Sequence, residues 1–135
     1  MINAFKTLKD ATVEVSYTNK YDKKCKSLLS IQDLISIAET YNLQHVGIYK
    51  DLKECDTYSS ECEDDNELFF TKEFIDECKN LGKKDWIIED GNYPYCPFEI
   101  VKNKTRRQIE IHAIGILIEA GFQDDFDVSY KIKRK

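Results

Sequence analysis

The sequence predicts a single α+β domain, and three observations carry that prediction. Apolar residues alternate with polar ones at Ala11, Val13, Val15 and Tyr17, and again at Phe126, Val128, Tyr130 and Ile132. Period two with one apolar side marks strands that bury one face, the habit of an antiparallel or mixed sheet. Segments with helical spacing and recognisable caps lie between the strand-like runs. One of these helices, 105–120, is apolar on nearly every side from 109 onward and so belongs near the centre. Together they predict a mixed or mostly antiparallel sheet of about five strands with the 105–120 helix packed across it. A doubly wound parallel sheet fits less well, because its strands should be continuously apolar.

The elements follow in order. Ile2, Phe5 and Leu8 recur every third residue after Asn3, which predicts a short helix ending near Lys9. The first alternating strand occupies 11–17. Residues 18–29 are rich in lysine and polar groups and read as a loop. Ser30 and Asp33 stand in capping-box positions, and Leu34, Ile35, Ala38 and Tyr41 follow on one helical face up to Asn42. A second strand runs through Val46 and Ile48. Thr71 and Glu73 suit the start of the next helix, with Phe70 and Ile75 in hydrophobic-staple positions. Phe74, Cys78 and Leu81 form its apolar face, and Gly82 is available for a left-handed cap. Trp86-Ile87-Ile88 and Phe98 to Val101 are strands, separated by the turn signal Asp90-Gly91-Asn92. Asn103 or Thr105 can cap the long helix, Gly121 can end it, and Asp127 to Lys133 closes the sheet with Lys131 and Lys133 guarding an edge.

Composition bounds the function classes. The chain has 135 residues, 33% charged and 41% hydrophobic, with eight Tyr, seven Phe and one Trp. That is one domain, 1–135, with enough aromatic bulk for a core and too much for disorder. No apolar run is long enough for a membrane helix, and Met1 to Asp10 lacks the apolar stretch of a signal peptide. Cys25, Cys55, Cys62, Cys78 and Cys96 are odd in number and include no closely spaced pair, which suggests free thiols in a reducing cytoplasm rather than disulfides or structural zinc. With only His45 and His112, no multi-histidine metal centre is expected, and no cofactor-binding motif occurs.

The net charge of -5 is unevenly placed. Between 51 and 67, eight acids face Lys53 alone: Asp51, Glu54, Asp56, Glu61, Glu63, Asp64, Asp65 and Glu67. Such a loop can meet a basic protein surface or occupy a phosphate-binding cleft, and Tyr58 within it offers a low-entropy aromatic anchor. The plainer alternative is a solvated loop. EF-hand spacing is absent, so calcium is not expected. The stretch Asp90 to Pro97 is stiffened by Pro94 and Pro97 and can display Tyr93 and Tyr95, unless both tyrosines fold onto the core. Cys96 with His112 is the nucleophile alternative, against the plainer reading of a buried thiol and a core histidine. Lys102, Lys104, Arg106 and Arg107 sit at a helix start suited to anions or to balancing the acids, while Lys131, Lys133, Arg134 and Lys135 form a short basic tail.

These features predict a binding protein rather than an enzyme. The first expectation is an immunity protein that covers the basic cleft of a nuclease toxin with the 51–67 carboxylates, Tyr58, Tyr93 and Tyr95. The alternative is a phage-encoded anti-defence inhibitor of a CRISPR or restriction nuclease acting by nucleic-acid mimicry. A further alternative is a small-ligand binder or cysteine-dependent enzyme. Global acidity argues against direct nucleic-acid contact, no membrane association is expected, and oligomeric state is left open.

Overall fold

Two three-stranded antiparallel sheets organise the described residues, in place of the single larger sheet expected. A computed structural model describes residues 4–41, 46–54, 72–90 and 98–133. The first sheet has the order β2-β1-β6, formed by β1 (Thr12–Thr18), β2 (Lys24–Ser30) and β6 (Phe126–Lys133). The second has the order β3-β4-β5, formed by β3 (Val46–Tyr49), β4 (Trp86–Asp90) and β5 (Phe98–Val101). Among the described residues the helices are α1 (Ile31–Thr40), α2 (Lys72–Lys79) and α3 (Arg106–Gly121).

β1 forms as its alternation dictates: Val13 and Val15 are fully buried and the residues between them are not. β2 replaces the loop expected at 18–29. Asn19 closes the hairpin by accepting from the Tyr21 and Lys23 amides at 2.9 and 3.1 Å, and Asp22 takes the left-handed conformation at φ 64°. The strand escapes a hydrophobic reading because it is an edge whose Lys24, Lys26 and Leu28 are exposed. β6 pairs with the other side of β1 and shifts register between Ser16 and Thr18, where Asp127 sits at φ 52°.

No helix forms over the described residues 4–9. The amides of Lys6, Thr7 and Leu8 donate instead to the Glu110 carboxylate of α3, at 3.0, 3.0 and 2.9 Å. The ends of α1 and α3 follow local rules. Ser30 and Asp33 complete a capping box on α1, and Thr105 with Gln108 does the same for α3. Asn103, the other candidate cap, is left-handed at φ 62°. The cap expected at Phe70 and Thr71 lies outside the described residues, as do Asn42 and Gly91.

Neither Gly82 nor Gly121 makes a left-handed cap, for no described glycine has positive φ. The Gly82 amide donates to Asp85 Oδ2 at 2.8 Å. Gly121 stays inside α3, where a Cβ would stand 2.7 Å from Ile37 Cγ2; it lets α1 and α3 approach closely.

α3 carries Glu110, His112 and Glu119 among its apolar residues, as the sequence shows, and it is not packed across a single sheet. It belongs to one core shared by both sheets. Val13 and Val15 of β1, Leu34 and Ala38 of α1, Val46 and Ile48 of β3 and Ile88 of β4 meet Ile109, Ile114 and Leu117 there. The opposite side of β3-β4-β5 carries a second cluster, in which Tyr49, Ile87 and Phe98 pack with Leu52, Ile75 and Cys78.

Candidate functional site

The start of the acidic segment is built on the second sheet. β3 delivers the chain to Lys50, whose ammonium donates to the carbonyl oxygens of Gly82 at 2.9 Å, Lys83 at 3.1 Å and Asp85. The same ammonium lies 4.5 Å from the centre of the Trp86 ring. Asp51 then turns the chain: its Oδ1 accepts from the Lys53 amide at 2.9 Å and its carbonyl accepts from the Glu54 amide at 3.0 Å. Leu52, buried in the second cluster, pins this single 3-10 turn. Asp51 and Glu54 are consequently exposed on a fixed base. Asp56, Tyr58, Glu61, Glu63, Asp64, Asp65 and Glu67 lie outside the described residues, as do Tyr93, Tyr95 and Cys96.

The chain returns at α2, which buries Ile75 and Cys78 and exposes Glu73, Asp76 and Glu77. These three carboxylates were not part of the sequence-derived site, although their spacing around an amphipathic helix was the available signal. With Asn80, Asp85 and Lys102 they border an open depression of about 510 Å3. Amides of Gly82 and Asn103 donate to Asp85 and hold its carboxyl below the usual carboxylate range. A second depression, of about 310 Å3, lies between Lys50–Lys53 and the Ile75, Cys78 and Leu81 side of α2.

Cys78, expected on the apolar face of α2, is buried there, and Arg106, offered as an anion ligand, is already engaged. Burial, followed by the charges of Glu77 and Asp51, pushes the Cys78 thiol up to about 11, so it is not a thiolate at neutral pH. Arg106 is not a free anion ligand at the helix start. Its Nε donates to Glu110 Oε2 at 2.7 Å and its Nη2 to the Ala4 carbonyl at 3.0 Å. Glu110 is fully buried; burial opposes its charge, but the Leu8 amide, Arg106 and Thr7 outweigh that and hold its carboxyl below the usual range. His112 is half-buried on α3. Among the described residues no group of three or more His, Cys, Asp or Glu side chains is arranged to hold a metal ion, and no helix is long and apolar enough to cross a membrane.

No family model, curated protein or solved structure matches this chain. The functional reading therefore rests on its own residues.

Proposed function

We propose that this chain is a small acidic inhibitor that acts in the cytoplasm by direct binding to a basic nuclease, in the manner of a toxin-neutralising immunity protein. The observation that carries the reading is the concentration of eight carboxylates against Lys53 alone between 51 and 67. A nuclease cleft is basic because it holds phosphates, so an acidic segment gains both attraction and faster encounter. The exposed Asp51 and Glu54 on their pinned turn, and the carboxylates of α2, support it by extending negative charge along the same side of the second sheet.

The test is an affinity pull-down of the tagged chain from its native lysate, washed at low and then high salt. A basic nuclease that salt releases is expected. Replacing Glu61, Glu63, Asp64 and Asp65 with Asn or Ser should slow its association and flatten the salt dependence. Retention of a nuclease with unchanged kinetics removes the segment from the mechanism. The identity of the captured nuclease separates a toxin from a defence enzyme.

A further inference from the structure

The outer face of the first sheet has a chemistry opposite to that of the acidic segment. β1 presents a strip of hydroxyls there, Thr12, Ser16 and Thr18, interrupted by Glu14. The register sets exposed Lys24 and Lys26 of β2 along one side of the strip, and exposed Lys131 and Lys133 of β6 along the other. Glu14 is engaged by Lys133 at 3.3 Å.

Spacing makes this more than a count of charges. Lysines two residues apart on a strand stand about 6.7 Å from each other, close to the step between phosphates of an extended nucleic-acid strand. The two lysine pairs lie diagonally across β1: Lys24 and Lys26 stand opposite Thr18 and Ser16, Lys131 and Lys133 opposite Glu14 and Thr12. Ser16, Thr18, Lys24 and Lys26 border an open depression of about 500 Å3, with Asp127 as the one carboxylate on its rim.

Apolar exposure falls on the same region. Leu28 is 63% exposed beside Glu14, Phe126 is 61% exposed opposite Thr18, and Tyr21 is 71% exposed in the adjoining hairpin turn. Lys20 lies 5.3 Å from the Tyr21 ring centre. Lysines that can neutralise phosphates, next to bare rings that can stack on bases, are the two parts of a single-strand binding surface. An acidic protein would use the lysines and leave the rings unexplained.

We infer that the outer face of β2-β1-β6 binds single-stranded nucleic acid, with Lys24, Lys26, Lys131 and Lys133 on phosphates and Phe126 stacked on a base. The inference is independent of the inhibitor reading. It also revises the expectation drawn from net charge: the sum of -5 conceals four lysines gathered on one sheet face.

Fluorescence anisotropy of the full chain with labelled oligothymidylate and oligouridylate of about 12 nucleotides tests it. Binding should weaken as salt rises from about 50 to about 200 mM. The pair Lys24→Gln/Lys26→Gln, and separately Lys131→Gln/Lys133→Gln, should each weaken binding on the order of tenfold and flatten that salt dependence. Phe126→Ala should weaken it at least about fivefold with the salt dependence kept. All five side chains are exposed, and an unchanged thermal unfolding curve certifies each variant. No binding by either oligonucleotide overturns the proposal. So does equal affinity for a duplex of the same length, an unaffected Phe126→Ala variant, or a self-association in sedimentation that the lysine changes abolish while oligonucleotide binding stays.

Discussion

The two sheets are both three-stranded and antiparallel, yet they solve opposite burial problems. Every residue of β3 and the first four of β4 are buried, because the shared core covers one face and the α2 cluster the other. In β1-β2-β6 one face meets the core and the other meets solvent, so burial alternates or fades toward the edges. A strand's hydrophobic pattern therefore reports how many of its faces are covered, and says little about parallel or antiparallel pairing. Both sheets contribute to the shared core, and the first leaves one face to solvent.

The largest expected effect tests what fastens the one-sided sheet. Glu110→Ala would leave the amides of Lys6, Thr7 and Leu8 and the Arg106 guanidinium without their shared carboxylate. We expect a loss of about 3–5 kcal/mol in denaturant unfolding. The same contact has a pH signature. Because the folded carboxyl is held below its ordinary pKa, its contribution is present above about pH 4.3 and is lost as pH falls through the folded value. Wild-type stability should fall over that acid window, and the Glu110→Ala variant should fall less steeply.

Next, Ile87→Ala and Ile88→Ala probe the two faces of β4 separately, since Ile87 packs toward α2 and Ile88 into the shared core. Each should cost about 2–5 kcal/mol, where a sheet with one solvated face would show a large and a small value. A smaller effect, about 1–3 kcal/mol, is expected of Gly121→Ala, whose added Cβ would press on Ile37 at the α1–α3 contact. The smallest belongs to the bare face: Leu28→Thr should change stability by no more than about 0.5 kcal/mol. All three comparisons can be read from urea midpoints at constant slope.

What the sequence made legible was local. Ser30 with Asp33 caps α1 through groups three residues apart, and such a pair can be read directly; for α3 the sequence leaves Asn103 and Thr105 as alternatives, and the structure takes Thr105 with Gln108. β5 falls on Phe98–Val101 as expected. The failures turn on partners that lie outside the segment being read. Residues 4–9 carry helical spacing, but a carboxylate more than 100 residues away takes their amides. β2 has the composition of a loop and becomes a strand because β1 lies beside it. The split into two sheets depends on strand pairing, which no periodicity encodes. Of the candidate site, the charge was legible and two of its residues, Asp51 and Glu54, are placed; the remainder falls outside the described residues. The lysine face was missed because its members come from segments that meet only in the folded sheet.

The position of β1 between its two neighbours has a consequence for synthesis on the ribosome. Its pairing with β2 closes across a short turn, whereas its pairing with β6 joins Thr12 to Lys133, 121 residues away, and must wait until β6 has been made. Until then the nascent chain displays one unpaired edge of its central strand, an invitation to pair with a neighbouring copy. Emergence of β6 is the event that withdraws it.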